Sequence, residues 1–450
     1  MVESPLIARL ENAPFTRWHA KARIVVGSAT FFDAFNALAL AFALPVLIRL
    51  WHITPAQSGL LISASYVGQL AGALLFSWLA EKYGRIPSAA AATALMSVMS
   101  LACATAGSLP ALLAYRLVQG VGVGGEMPVA AAYISELSKA RGRGKFFMLY
   151  EMIFPLGLMA TSQTGAWVVP VWGWEAMFLI GGIPGLIITW LLLRLPESPR
   201  WLISKGRFGE AELIIKQIEA WGTGERRQSE IPAVQPAQPP VQFQPERGRW
   251  GDVLAPSLQR RTLIVWVLWV TAYFVTNSLN NWMPSLYSTV YHLGLQQSLR
   301  AASMTNVAQV AVLLVCAFCI DRIGRKKWTF ASFVIGGIGL AVLGLAGAQS
   351  VTSVMILGTF SYGIIGSVNA VLYLYTPEIY PTRIRALGTG LATSWLRLAS
   401  AVGPAIVGVM VAAEGIGSVF IMFAITSVIG ACAALGMIET RARRLEDIAP

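Results

Sequence analysis

Four ionisable side chains lie inside long apolar runs of this 450-residue sequence: Asp33, Arg116, Glu151 and Arg397. A charge withdrawn from water is costly, so such residues persist where they bind, pair or hand on a charge. A carboxyl group can take up and return a proton, and a guanidinium presents a planar fork of donors that matches a carboxylate. Arg397 sits at the centre of TGLATSWLRLASAVGPAIVGVMVAA, between Thr393, Trp395 and further apolar residues, with no acid nearby in sequence. Asp33 falls about nine residues into its run, near mid-membrane at ~1.5 Å rise per residue. Glu151 falls about six residues into its run, where a gate residue and a snorkelling interfacial acid are equal readings.

Amides and aromatics recur in other apolar runs at helical spacing. Tyr273, Asn277 and Asn281 share one face at i, i+4 and i+8; a later run offers Tyr362, Asn369 and Tyr373, and another Asn306 and Gln309. Unpaired amides are expensive in lipid, so these residues either line a wet, inward-facing stripe or bond to one another between helices. Trp282, Tyr287 and Tyr291 are expected to form an interfacial aromatic belt.

What must position these groups follows from composition. Hydrophobic residues make up 56% of the chain and charged ones 12%, against about 25% charged in soluble domains. The chain is a polytopic membrane protein. Runs long enough to cross ~30 Å of hydrocarbon fall near 24–48, 58–80, 87–107, 110–134, 146–170, 174–194, 262–287, 300–320, 327–348, 352–375, 386–412 and 416–438. The sequence therefore predicts an all-α membrane protein with twelve transmembrane helices in two six-helix bundles. The expected divisions are an N-terminus (1–23), a first bundle (24–194), a linker (195–261), a second bundle (262–438) and a C-terminus (439–450). In the linker, GEAELIIKQIEAWG reads as a short amphipathic helix and PAVQPAQPPVQFQPERG as disordered.

The net charge of +12 reports topology rather than a nucleic-acid partner. Of 34 Lys and Arg, all but Arg49, Arg300, Arg116 and Arg397 fall in the termini and alternate loops, which places both termini in the cytoplasm. The apolar run after the polar first 23 residues is too long for a signal-peptide core. Cys103, Cys316, Cys319 and Cys432 all lie in spans, so the Cys316 to Cys319 spacing reads as packing and not as a redox or metal pair. GVGVGG at 120–125 follows no strand, so close helix packing is preferred to a nucleotide site. No metal or cofactor is expected. The cytoplasmic segments show no metal-ligand cluster, nucleophile elbow or phosphate loop, so an enzyme is not expected.

The halves repeat. SWLAEKYGRIPS follows the second span and AFCIDRIGRKKW the eighth; ISELSKARGRGK follows the fourth and TPEIYPTRIRALG the tenth. Glu81 and Arg85, Asp321 and Arg325, Glu136 with Arg141 and Arg143, and Glu378 with Arg383 and Arg385 can pair across neighbouring helices as a gate, with Gly84 and Gly324 at the tight turns. These loops, with RLVQGVGVGGE (116–126), AAYISEL (131–137) and PESPRWL (196–202), resemble the major facilitator superfamily, closest to its sugar-porter-like branch. YTPEIYPTRIRALGTG (375–390) and NNWMPSLY (280–287) are more similar to niacin transporters, synaptic vesicle glycoproteins and organic ion transporters than to sugar carriers. Glu81 and Lys82 stand where Asp and Arg are usual, and Ile438-Glu439-Thr440 stands where sugar porters have Pro-Glu-Thr.

The resemblance implies alternating access, with the loop charges locking the outward-facing state. It implies that Asp33 and Arg116 pair as a protonation switch, and that an arginine at the position of Arg397 selects organic anions. A small, planar aromatic carboxylate such as nicotinate would then meet Arg397 through its carboxylate, stack on Trp395 or a tyrosine, and receive an amide N–H at its ring nitrogen. The expected function is proton-coupled uptake of such an anion by a monomer in the inner membrane. Benzoate-type acids, a sugar or polyol substrate, and a sensor that binds without net transport are the alternatives.

Overall fold

The computed structural model describes residues 5–12, 17–137, 152–222, 250–381 and 384–441. Glu151, Arg141, Arg143, Arg383 and the Pro/Gln-rich stretch lie outside them. Among the described residues the first half contains α1 (Pro5–Asn12), α2 (Arg17–Trp51), α3 (Pro55–Tyr83), α4 (Arg85–Ala104), α5 (Leu109–Glu136), α6 (Ile153–Trp172) and α7 (Glu175–Leu192). Two short helices follow, α8 (Pro199–Ser204) and α9 (Phe208–Gly222). The second half contains α10 (Gln259–Thr289), α11 (Leu295–Ile323), α12 (Arg325–Leu345), α13 (Val351–Glu378), α14 (Arg385–Glu414) and α15 (Ile416–Leu435).

Twelve of these, α2–α7 and α10–α15, form two six-helix bundles. Ten are long and apolar enough by themselves to cross a membrane; the other two are α5, which carries Arg116, Gln119 and Glu126, and α6. Helix α2 starts before its apolar run because Trp18, His19 and Ala22 continue the buried face. The amphipathic linker helix appears as α9, with Ala211, Ile215 and Ile218 buried.

Local chemistry sets the helix ends. Thr54 Oγ1 accepts from Gln57 N at 3.2 Å while Gln57 Oε1 accepts from Thr54 N at 2.9 Å, a capping box that starts α3 with Pro55 at its first turn. Gly84 and Gly324, at φ +115° and +97°, turn α3 into α4 and α11 into α12 in one residue, a conformation only glycine adopts cheaply. The GVGVGG run is a packing surface: Gly120 and Gly124 of α5 lie against the Ser65 and Gln69 carbonyls of α3, and Gly68 and Gly72 of α3 lie against α5.

Both ends of the described chain, the two Gly-Arg turns and α8–α9 share one face, called here the basic face. The halves join toward the opposite face. There Gly59 of α3 meets Pro404 of α14, and Gly408 of α14 meets Pro55. Arg49 donates to Ser288 Oγ at 2.9 Å, Arg300 lies over the Trp167 ring at 4.4 Å, and Gln163 donates to the Ser303 carbonyl at 3.4 Å. The expected aromatic belt is not one: Trp282 and Tyr287 are buried, with Trp282 Nε1 donating to Pro404 O at 3.2 Å, because NNWMPSLY packs inside the joint.

Candidate functional site

Between the halves lies a cavity of about 1110 Å³. It runs from Asp33 and Arg397 at mid-span to Asp321 and Glu378 at the basic face. Tyr66, Tyr273, Tyr362, Tyr373 and Phe154 give it aromatic walls.

Arg397, half-buried, reaches the cavity from α14, and its guanidinium makes one long hydrogen bond, Nη1 to the Thr393 carbonyl of its own helix at 3.4 Å. Asp33, Tyr273 and Tyr373 are its electrostatic neighbours. Among the described residues no acid lies within 4.0 Å of it, so it is not locked in an ion pair. Trp395 does not line the cavity. Two residues along a helix turn the side chain by about 200°, so Trp395 points away and packs on Trp266, ring centroids 5.3 Å apart.

Asp33 reaches the cavity wall from α2, 2% exposed, with Oδ1 buried and unpartnered. The expected pairing with Arg116 is absent. Arg116, fully buried, donates through Nη1 to the Asn36 carbonyl at 3.0 Å and to Gln119 Oε1 at 2.6 Å, and Gln119 Nε2 donates to Asn36 Oδ1 at 3.0 Å. Both bonds engage Nη1, at Asn36 one helical turn beyond Asp33 and at Gln119 on α5, while Nε is buried without a hydrogen-bond partner. The electrostatic neighbours of Asp33 are Glu126 and Arg397 instead.

Glu126 was not singled out in the sequence, although it closes the quoted RLVQGVGVGGE string. It is an acid within a span, the same signal that marked Asp33, hidden behind a glycine run that reads as packing. Its carboxyl group is fully buried and accepts from Thr30 Oγ1 at 3.1 Å.

The amides divide into two groups. Asn280 and Asn306 bond each other, Nδ2 to Oδ1 at 3.3 and 2.9 Å, and Asn306 is buried away from the cavity. Asn277 donates to Ser400 Oγ, and Asn281 donates to Tyr66 OH at 3.0 Å, tying α10 to α3 across the halves. These are the interhelical bonds of the second sequence reading. By contrast, Gln309 has its Oε1 held by Tyr362 OH at 2.7 Å, which directs its NH₂ elsewhere, and Asn369 donates to Thr276 Oγ1 at 3.2 Å and keeps Oδ1 unpartnered. Both line the cavity, and so do Asn277, Asn280 and Asn281 while making the bonds just described.

At the basic face each Gly-Arg turn builds the same corner. Arg85 reaches Glu81 at 2.7 Å and Glu136 at 2.9 Å; Arg325 reaches Asp321 at 2.9 Å and Glu378 at 3.3 Å. Two acids not expected there complete the corners. Glu197 accepts from the backbone of Arg85 and Ile86 at 3.0 and 3.2 Å, and Glu439 accepts from Arg325 and Lys326 at the same two distances. Each carboxylate thus caps a helix N-terminus, where the orphan N–H groups and the helix dipole favour negative charge. Arg385 donates to the Tyr380 carbonyl at 3.3 Å rather than to Glu378, whose second oxygen takes the Thr440 hydroxyl at 2.6 Å.

The model of the family described as "Sugar (and other) transporter" matches residues 26–450. The chain belongs to this family. It is 34% identical to the niacin transporter NiaP of Acinetobacter baylyi, over 98% of this chain and 99% of that one. It is 25% identical to the 4-hydroxybenzoate transporter PcaK of the same organism, over 85% and 82%. In structure it superposes on the xylose transporter XylE from E. coli in a partially occluded inward open conformation, with a TM-score of 0.74 at 18% identity, over 95% of this chain and 100% of that one. Family membership makes the protein a membrane transporter, and the likeness to XylE confirms the two-bundle fold.

Proposed function

We propose that this transporter takes up a small aromatic carboxylate, nicotinate in the reading that fits best, together with protons, by alternating access between the two bundles. The observation that carries it is Arg397: a guanidinium on the cavity wall with one long bond to its own helix and no ion pair among the described residues. A carboxylate fits its donor fork, and Tyr273 and Tyr373 flank it with flat surfaces. The Gln309 amide supplies an N–H for a ring nitrogen. The relative named as a niacin transporter supports the same substrate. Asp33 is the proton carrier in this reading, and Arg397 is its counter-charge.

By the distribution of Lys and Arg, the basic face and both termini are cytoplasmic in a cell membrane, and the cavity then opens to the cytoplasm. One chain encloses the cavity, so a monomer suffices.

Thermal stability of the purified protein tests the substrate. Nicotinate should stabilise it and nicotinamide should not, since ligand binding to the folded state raises the melting temperature. Arg397→Ala should weaken nicotinate binding by a factor of ~30 or more, the equivalent of about 2 kcal/mol for a lost buried charge pair. Stabilisation by a hexose alone defeats the reading, and preference for 4-hydroxybenzoate moves it to phenolic acids. Uptake into liposomes separates a carrier from a sensor.

A further inference from the structure

We propose that Glu126 is the second half of the coupling site, forming with Asp33 one carboxyl pair that carries a single exchangeable proton. Asp33 stands at the cavity wall and Glu126 is sealed behind it. The inference rests on the proton-coupled reading above and adds to it a residue and a stoichiometry.

Three observations place the pair. Glu126 is 0% exposed and lies within α5, so its carboxyl group is shut off from bulk water. Both its oxygens lie within reach of one hydroxyl, Thr30 Oγ1, at 3.1 and 3.4 Å. Thr30 precedes Asp33 by three residues on α2, which sets the two on one face of that helix, and Asp33 Oδ1 is buried with no partner. Among the described residues no Lys, Arg or His nitrogen lies within 4.0 Å of either carboxyl group.

One hydroxyl proton cannot satisfy two carboxylates in an apolar surrounding. A proton added to the pair turns one acceptor into a donor and removes one of two like charges. Among the described residues, Asp33 on α2 is the charged group facing Glu126, and Arg397 on α14 faces Asp33. Helices α3 and α4, also packed on α5, bring Gln69, Phe76, Ala92 and Met96 to this level. Arg397 is therefore the cation that can answer the pair's charge, and it is also the group offered to the substrate.

The cycle balances with one proton. With the cavity facing the proton-rich side, one O–H bond forms and the pair passes from two negative charges to one. Arg397, less engaged by Asp33, accepts the substrate carboxylate. After the cavity turns to the other side and the substrate leaves, Arg397 again faces Asp33, the O–H bond breaks and the proton passes to cavity water.

The full chain in liposomes, with labelled nicotinate as probe, tests this. Wild type should concentrate nicotinate when the outer side is the more acidic. Glu126→Gln and Asp33→Asn should each lose that accumulation while exchange of nicotinate for nicotinate persists at a measurable rate, and Glu126→Asp should restore part of it. Accumulation at the wild-type level in Glu126→Gln overturns the pair and leaves the carrier reading intact. A wild type that exchanges nicotinate but never accumulates it overturns the coupling and this proposal together. Should Glu126→Gln not purify as a folded protein, Thr30→Val decides: the pH profile of exchange should move, and an unmoved profile overturns the proposal.

Discussion

The two Gly-Arg corners are near copies of each other, whereas the two membrane interiors behind them are not. Arg85 and Arg325 each join an acid one turn back to an acid on a neighbouring helix, and Glu197 and Glu439 cap α4 and α12 at equal distances. Inside, the first half holds Asp33, Arg116 and Glu126, while the second holds Arg397 and a network of amides. In the proposed alternating access, rocking two bundles asks the same work of both halves at the basic face, which the matching corners supply. In the proposed function, binding an anion and a proton asks for opposite charges on opposite walls, which the diverging interiors supply.

If the corners are equivalent, matched substitutions should cost alike. Arg85→Ala and Arg325→Ala should each lower thermal stability by about 2–3 kcal/mol, because each leaves a mostly buried carboxylate, Glu136 or Glu378, without its partner. Unequal losses, read from melting of the two proteins in detergent, would show that the two corners are not equivalent. Gly84→Ala and Gly324→Ala come next. A side chain at positive φ, pressed against the capping glutamate, should cost each about 1–2 kcal/mol. Full tolerance at either site would mean that its turn is not held as seen.

The smallest effect concerns Glu197. Burial pushes its carboxyl group above the usual carboxylate range, partly offset by the N–H groups of Ser198, Ile86 and Arg85, and Glu136 adds repulsion. A carboxyl group raised on folding binds its proton more tightly in the folded state, so its contribution is complete below the unfolded pKa and is lost as pH rises through the folded one. Stability should therefore decline with rising pH above the ordinary carboxylate range, and Glu197→Gln should flatten that part of the profile by up to about 1 kcal/mol. An unchanged slope would assign it to other groups.

Much of the fold was legible because a membrane punishes exceptions: the length of each apolar run, the bias of Lys and Arg, and the repeated loops follow from one chain at a time. Arg397 and Asp33 stood out for the same reason. Less legible was whatever needed a partner from far along the chain. Helical spacing grouped Asn277 and Asn281 correctly on one face, but only packing shows that their donors go to Ser400 and Tyr66. Trp395 was misread by proximity in sequence, since flanking Arg397 by two residues places a side chain on the opposite side. Glu197 and Glu439 lie 112 and 114 residues from the amides they cap, a relation that no local pattern carries.

The joint away from the basic face differs in kind from the corners. Where α3 crosses α14, Gly59 and Gly408 let backbone lie against backbone, with no charged pair at the point of closest approach. Parting α3 from α14 at this crossing forfeits dispersion contacts and admits water, while the polar cost of opening the joint falls to its flanks, where Arg49 meets Ser288 and Gln163 meets Ser303. The crossing of α3 and α14 can therefore work like a bearing, smooth and short-ranged.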